Sequence, residues 1–312
     1  MSEAPAQAAR RPGYGPPPYG APPAVAEQDG AWLYRDALVA RIDGFRPLML
    51  DLSVPMGRSE VPVVVWIHGG AWLHGSHKDQ PGPVPSRQIR ASLLDAGIAV
   101  AAVQYRLSGE AVYPAQLHDV KAAVRWLRHH AGVLGLDPAR FAAWGDSAGG
   151  HLAALLAVTG TPAAGGPDTE GDLGLTGVSS AVRACVNWYG VTELDTMQAQ
   201  SHPYATVDHD APDAPESRLI GAPVRSAPEL AAAASATTYV TAGAAPMLLL
   251  HGVEDRTVPI GQSEVLADAY RRAGARAEFV PVPGADHVFD GVDRRPLIDR
   301  SVHFLRTELG VG

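Results

Sequence analysis

Residues 139–160, ARFAAWGDSAGGHLAALLAVTG, decide the fold that this sequence predicts. ARFAAWG (139–145) is typical of a buried strand, and the nearly all-apolar SAGGHLAALLAVTG (147–160) predicts a buried helix. Between them, Gly145, Ser147 and Gly149 form a G-x-S-x-G motif. Glycines allow the tight turn that lifts a serine hydroxyl to the end of a sheet, facing a helix N-terminus. Ser147 is therefore the candidate nucleophile.

Strands and helices alternate on both sides of this unit. VPVVVWIHGG (61–70) is too uniformly apolar for a half-exposed strand, so it predicts a parallel central strand buried on both faces. LVARI (38–42) and LMLDLSV (48–54) predict an edge hairpin that turns at Asp43-Gly44. The alternation continues through SRQIRASLLDAG, IAVAAVQYRL, PAQLHDVKAAVRWLRHHAG, VRACVNWYG, APMLLLHG, GQSEVLADAYRRAG and AEFVPVPG to a last helix from about Pro296. This order predicts an α/β fold with a mostly parallel central sheet flanked by helices.

Composition divides the chain into a tail and one domain. Residues 1–28 are rich in Pro, Gly and Ala, which bury too little apolar surface to offset chain entropy, so we expect a disordered tail. Residues 29–312 are expected to form the single folded domain. Polar segments at 160–180 and 192–228 interrupt the alternation. The first is expected to be a surface excursion, and the second is a candidate for a small lid or cap insertion.

The charge balance favours small-molecule chemistry. A net charge of −8 gives no electrostatic reason to bind nucleic acid or an anionic membrane. We find no stretch typical of a signal peptide or a membrane span, so we expect a soluble, cytoplasmic protein. Cys185 is the only cysteine, and its apolar surroundings indicate a small buried side chain. The oligomeric state is left open.

The motif HGGAW (68–72) follows the predicted central strand. Backbone N–H groups of a loop at this position, together with the N–H after the nucleophile, form the oxyanion hole of hydrolases with a G-x-S-x-G turn. Small residues are needed because the substrate oxygen must approach the backbone. We favour Gly70 and Ala71 as donors alongside Ala148, with Gly69 as a further candidate.

An acid and a base are expected to follow the nucleophile, each on a loop after a later strand. MLLLHGVEDRTVP (247–259) places Glu254 and Asp255 just beyond a strand, and FVPVPGADHVF (279–289) places His287 beyond the next. We prefer Asp255 because it lies deeper in its loop, and expect Glu254 to be a solvated neighbour. His287 is the candidate base.

The sequence contains 12 histidines, so the others need an interpretation. His251 stands at the end of a strand and is expected to be a hydrogen-bonded structural residue. His74 and His77 could form a metal pair, but no carboxylate or thiolate cluster of suitable spacing joins them in the sequence. We therefore predict no metal and no cofactor.

Four motifs in this order resemble the α/β-hydrolase superfamily: HGGAW, GDSAGG, HGVEDRTVP and GADHVF. The likeness lies in the region of the hormone-sensitive-lipase-like and bacterial feruloyl-esterase-like (BD-FAE) branches. YPAQLHDVKAAVRWLR and VNWYGVTEL are also similar to the second branch, and the resemblance covers roughly residues 39–305. One departure is Asp286, which precedes His287 where a small residue is commoner and whose charge could act on the histidine.

The resemblance implies the α/β-hydrolase fold and an esterase with a Ser147–Asp255–His287 triad, acting on a small-molecule ester through an acyl-enzyme. Amide or formamide hydrolysis, acyl transfer or cyclisation on the same triad remain alternatives, as does a non-catalytic relative that only binds a ligand. For the substrate pocket we expect Trp72 and Tyr189 to form an apolar wall. Tyr204 and Leu219 are expected to contribute from the lid segment.

Overall fold

A nine-stranded, mostly parallel sheet forms the centre of the computed structural model, which describes residues 19–78, 84–160 and 168–312. Its spatial order is β1-β2-β3-β5-β4-β6-β7-β8-β9, and all pairs from β5 to β9 are parallel, whereas β1, β2 and β3 pair antiparallel at one edge. The strands are β1 Val25–Gln28, β2 Ala31–Ala40, β3 Leu48–Pro55, β4 Val61–Ile67, β5 Ala99–Val103, β6 Leu136–Asp146, β7 Ala184–Trp188, β8 Met247–Gly252 and β9 Ala277–Val282.

Helices cover both faces of the sheet. Apolar side chains of α2, α4 and α8 pack in one core, and those of α1 and α9 pack in a second core on the opposite face. The helices are α1 Ser86–Asp95, α2 Ala115–His129, α3 Ala131–Leu134, α4 Ala148–Thr159, α5 Met197–Gln200, α6 Pro215–Ile220, α7 Pro228–Ala233, α8 Gly261–Ala273 and α9 Arg295–Leu309. Short 3₁₀ turns lie at Leu194–Thr196, Val224–Ser226, Ala236–Tyr239 and His287–Phe289.

The uniformly apolar β4 is the central parallel strand that the sequence predicts. All seven of its residues are buried, and it pairs in parallel with β5 and β6. Val63 and Val65 face one core, while Val64 and Trp66 face the other. A strand with two buried faces must be apolar at every position, which is why period-2 alternation is absent here. The predicted α/β architecture is confirmed.

The predicted C-terminal boundary of the disordered tail is wrong. Val25–Gln28 forms β1 and pairs with β2, and Gly20 N–H donates to the Leu38 carbonyl at 2.9 Å. All four residues of β1 are exposed, so backbone hydrogen bonds rather than side-chain burial hold this strand, and composition does not reveal such bonds. Residues 1–18 of the predicted tail lie outside the described residues.

The segment at 160–180, which was expected to be a surface excursion, is bound to helix α2 by ion pairs. Residues 161–167 lie outside the described part. Beyond them, Glu170 forms ion pairs with Lys121 and Arg125, two side chains of α2 that are almost completely buried. A buried cation needs a paired anion, and Glu170 supplies that charge from the segment. Over the described ranges, no helix combines the length and the apolar composition needed to cross a bilayer.

Candidate active site

Ser147 lies at a sharp turn between β6 and α4. Its backbone is in the left-handed region at φ 50°, and its N–H donates to the Trp188 carbonyl at 2.9 Å. A Cβ on Gly149 would lie 2.0 Å from the Ile67 carbonyl oxygen, so only glycine fits where helix α4 crosses the end of β4. The G-x-S-x-G spacing is therefore a steric requirement of this turn.

Three loops bring Ser147, Asp255 and His287 together at the carboxyl ends of β6, β8 and β9. The Ser147 hydroxyl lies 3.1 Å from His287 Nε2, and His287 Nδ1 donates to Asp255 Oδ2 at 2.8 Å. This is the linear order of nucleophile, imidazole and carboxylate that activates a serine. The structure thus brings the three predicted residues into one hydrogen-bonded chain.

Asp255, not Glu254, is the carboxylate that reaches His287. Asp255 is buried, and its Oδ1 accepts from the N–H groups of Thr257 and Val258 at 2.9 and 2.8 Å. Burial alone would raise the pKa of Asp255, but hydrogen bonds and charge attraction from His251 and His287 outweigh it and hold the pKa well below its usual range. Glu254 is exposed at the surface. A permanent negative charge therefore faces the imidazole.

The neighbours of Asp255 and His287 have structural roles. His251 Nε2 donates to the Val258 carbonyl at 2.8 Å and also lies 3.4 Å from Asp255 Oδ2, while Nδ1 accepts from the Ser263 hydroxyl at 2.7 Å. His251 thus shapes the Asp255 loop as a hydrogen-bonded structural histidine. Asp286, whose charge the sequence placed beside His287, forms an ion pair with Arg256. This ion pair offsets the Asp286 charge and ties the loops after β8 and β9 together.

The loop at 68–72 runs beside Ser147 with an unusual backbone. Gly70, Ala71 and Trp72 have φ values of 110°, 54° and 56°. Gly69 N–H donates to Asp146 Oδ1 at 3.0 Å and so already has an acceptor. Within the described parts of the chain, the N–H groups of Gly70, Ala71 and Ala148 have no hydrogen-bond acceptor. These three, and not Gly69, are available to a substrate oxygen.

The BD-FAE family model matches residues 50–270, which is more than half of the chain. The chain belongs to the BD-FAE family. Esterase LipQ of Mycobacterium tuberculosis is 33% identical over 255 residues, which cover 79% of this chain and 55% of LipQ. The chain spans about half the length of the curated relatives it matches first.

Solved structures share both the fold and part of the sequence of this BD-FAE member. A truncated carbohydrate esterase from gut microbiota superposes with a TM-score of 0.79 at 30% identity, covering 93% of this chain and 100% of that one. Thermogutta terrifontis esterase 2, phosphorylated by paraoxon, has a TM-score of 0.66 at 26% identity, with coverage of 90% and 95%. The chain therefore has the α/β-hydrolase fold.

A cavity of about 690 Å³ opens beside Ser147 and His287 of this BD-FAE member. Its walls combine residues 68–71 with apolar side chains such as Trp66, Val84 and Val288, and with Thr257 two residues after Asp255. Ser147 and His287 are also among the residues that line it. It is large enough for a small acyl ester.

The four predicted pocket residues are not among the described residues that line this cavity. Trp72 is buried and donates from Nε1 to His151 Nδ1 at 3.2 Å, and Tyr189 packs behind the His287 ring at 5.0 Å. Leu219 is fully buried in the core, while the Tyr204 side chain is 77% exposed. Sequence position next to a catalytic motif does not determine which side chains line a cavity, and these four do not line it.

The segment at 192–228 packs on the body of the domain. Leu194, Met197 and Leu219 belong to the main apolar core. Its link to the cavity runs through Thr206, whose N–H donates to the Arg256 carbonyl at 2.9 Å and whose hydroxyl lies 3.2 Å from that of Thr257. The segment thus contacts the rim at Thr257, and its role as a lid stays a prediction.

His77 does have carboxylate neighbours, contrary to the sequence interpretation. Asp36 and Asp51, from neighbouring strands β2 and β3, come within a few ångströms of it, with His77 Nε2 3.1 Å from Asp36 Oδ1. Antiparallel pairing brings together residues that are 15 positions apart, which linear spacing does not show. The ammonium of Lys78 lies 2.8 Å from both carboxylates, so the cluster already contains a cation.

Asp146, the residue before the nucleophile, is a buried carboxyl group that the sequence analysis overlooked. Burial raises its pKa to about 6, against the opposing hydrogen bond from Gly69 N–H. Its position inside GDSAGG was the signal for a role at the site. Folding therefore makes this carboxyl group harder to ionise than it is in the unfolded chain.

Asp146→Asn is expected to stabilise the protein in a pH-dependent way. A carboxyl group whose pKa rises from 3.8 to about 6 on folding destabilises the folded state above that pKa, because the unfolded chain ionises more easily. The penalty is absent below pH 3.8 and grows as the pH rises to about 6. The gain in free energy of unfolding should be larger by about 3 kcal/mol at about pH 8 than at about pH 4. Urea unfolding of both proteins measures it, and a gain independent of pH would contradict the raised pKa.

Proposed function

We propose that this protein is a serine hydrolase that cleaves small-molecule carboxylic esters. The observation that carries the proposal is a continuous series of hydrogen bonds, which runs from the Ser147 hydroxyl through both nitrogens of His287 to the buried Asp255 carboxylate. These hydrogen-bonded side chains lie at the edge of a cavity, close to the unpaired backbone N–H groups described above. Ester hydrolysis is the reaction in the names of LipQ and of the neighbouring solved esterases, which supports the proposal.

In the proposed mechanism, His287 Nε2 takes the proton of Ser147 while Oγ attacks the acyl carbon. The carbonyl π electrons move to the oxygen, and the N–H groups of Gly70, Ala71 and Ala148 stabilise that oxyanion. The tetrahedral intermediate collapses, the C–O bond of the ester breaks, and His287 gives its proton to the leaving alkoxide. An alcohol departs and the acyl group stays on Ser147.

Water then completes the reaction through the same groups. His287 takes a proton from water, the hydroxyl attacks the acyl-enzyme, and the second tetrahedral intermediate releases the carboxylic acid as Ser147 Oγ regains the proton. Asp255 remains ionised throughout, because its pKa lies well below its usual range. Its charge stabilises the imidazolium that forms in each step.

A direct test uses short-chain p-nitrophenyl esters as the sole acyl donor. We expect equal amounts of p-nitrophenol and free carboxylic acid, without any nucleic acid, lipid or metal being added. Nitrophenol without free acid, when an amine or alcohol is present, would show acyl transfer instead. Complete absence of nitrophenol would favour a ligand-binding relative.

The cytoplasmic location inferred from the sequence stays a prediction.

Val288→Ala is expected to change the acyl selectivity more than substitutions in the segment at 192–228. Val288 lines the cavity next to His287, so its truncation creates space for a bulky acyl group, whereas the exposed Tyr204 does not line it. Relative kcat/KM for bulky against short acyl esters should shift by about 1 kcal/mol or more in Val288→Ala. Tyr204→Ala serves as the control. A larger shift in the Tyr204 variant would instead support the lid.

A further inference from the structure

The carbonyls of His68 and Gly69 are held by a tyrosine side chain that follows strand β5. Tyr105 lies just beyond β5, is completely buried, and donates from its hydroxyl to the His68 carbonyl at 2.9 Å, with the Gly69 carbonyl at 3.4 Å. Its ring stacks on the His68 ring at 4.3 Å between centroids and 14° between planes. Burial lowers the pKa of His68 to about 4, so the neutral ring donates from Nδ1 to the Gly69 carbonyl. Tyr105 thus fixes one side of the loop.

Asp146 fixes the other side from the end of β6. Its Oδ1 accepts from Gly69 N–H at 3.0 Å, and a Cβ on Gly69 would lie 2.5 Å from Oδ2. The carboxylate therefore packs closely against the glycine backbone. Together, Tyr105, His68 and Asp146 satisfy both the N–H and the carbonyl of Gly69 with side chains.

The backbone that follows needs such support. Gly70, Ala71 and Trp72 are three successive residues with positive φ, and two of them carry a Cβ. A positive φ is strained for a residue with a Cβ, so the loop keeps this shape only if its surroundings impose it. At its far end Trp72 is anchored to His151 of α4. The strained turn is thus held at both ends.

We propose that Tyr105 and Asp146 are positioning residues that clamp Gly69 so that the N–H groups of Gly70 and Ala71 point at the developing oxyanion. The inference rests on the proposed esterase function. Neither side chain takes part in bond making. They set the direction of donors whose value depends on being oriented before the transition state forms.

Tyr105→Phe tests the clamp because it removes one hydroxyl and keeps the stacked ring. We expect kcat for a short p-nitrophenyl ester to fall by about 10-fold with little change in KM, since the donors act on the transition state. Tyr270→Phe is the matched control, because the hydroxyl of this buried tyrosine also donates to a backbone carbonyl, that of Ala245, but outside the site. The control should keep the wild-type kcat.

Phenylboronic acid provides a readout that general destabilisation does not change. Its tetrahedral adduct with Ser147 places a negative oxygen where the oxyanion forms, so its inhibition constant reports on the hole. In Tyr105→Phe this constant should rise by the same factor as kcat falls. A fall in kcat with an unchanged inhibition constant would overturn the positioning role, and so would a Tyr105 variant that behaves like Tyr270→Phe.

The Asp146 pair keeps the test decisive even if Tyr105→Phe does not fold. Asp146→Ala removes the acceptor for Gly69 N–H and should lower kcat, whereas Asp146→Asn keeps an oxygen acceptor and should recover most of the loss. Equal losses in the two variants would show that charge, not positioning, matters. A wild-type protein that neither hydrolyses the ester nor binds the boronic acid would overturn the proposed function itself, whereas an active wild type with insensitive variants overturns only the clamp.

Discussion

Alanine in place of Ser147 is expected to lower kcat for p-nitrophenyl esters by about 10⁶-fold, because the acyl-enzyme route is lost with its nucleophile. The fold should be retained. Ser147 already carries a Cβ at φ 50° and ψ −120°, and alanine keeps that Cβ without the hydroxyl, so alanine fits the turn. Steady-state kinetics with urea unfolding as the control for folding measures both effects.

Labelling with a fluorophosphonate probe tests whether Ser147, rather than another serine, is the nucleophile. The wild-type protein should gain the mass of one phosphonyl group, and the alanine variant should gain none. Labelling of the alanine variant at another serine would assign the nucleophile elsewhere. Activity that survived in a folded, unlabelled variant would remove the acyl-enzyme from the mechanism.

Asp255→Asn is expected to reduce kcat by about 10⁴-fold, because an amide next to His287 Nδ1 no longer stabilises the imidazolium and can favour the wrong tautomer. Glu254→Gln is the matched control one position away. Glu254 is exposed, and the carboxylate in contact with His287 is that of Asp255. It should retain nearly all activity.

Comparing the activity losses of these two variants can overturn the assignment of Asp255 as the carboxylate that orients His287. If Glu254→Gln lost as much activity as Asp255→Asn, the carboxylate that orients His287 would not be the one in contact with it here.

The parts of the site that the sequence predicts are those fixed by backbone sterics and strand order. Ser147 could be found because only glycine fits at 149, where the Ile67 carbonyl leaves no room for a Cβ. Asp255 and His287 could be found because each follows a buried strand, and parallel strands end at the same edge of the sheet. Depth in the loop then separated Asp255 from Glu254.

Side-chain direction and long-range pairing could not be predicted in the same way. Trp72 was expected to line the pocket, yet its indole turns toward His151 on α4. Tyr105 was missed because its contact with His68 joins loops 37 positions apart, and no local pattern marks it. The same reason explains Asp36 and Asp51 beside His77, which meet only through antiparallel pairing of β2 and β3.

Amino-acid composition could not predict strand β1 at the N-terminal edge of the sheet. β1 lies in a stretch rich in Pro, Gly and Ala, and its side chains are exposed, so no apolar pattern marks it. Its backbone is nevertheless paired along β2. Hydrogen bonds between backbones carry no sequence signal of their own.

Trapping the acyl group on the protein tests the central claim most directly. A slowly deacylating p-nitrophenyl ester is mixed with the wild-type protein, the reaction is quenched in acid, and the intact mass is measured before peptide mapping. The account predicts one added acyl group, located on the peptide that contains Ser147, and its loss on further incubation. An acyl group on any other residue, or rapid release of nitrophenol with no acylated protein at any time under these conditions, would contradict it.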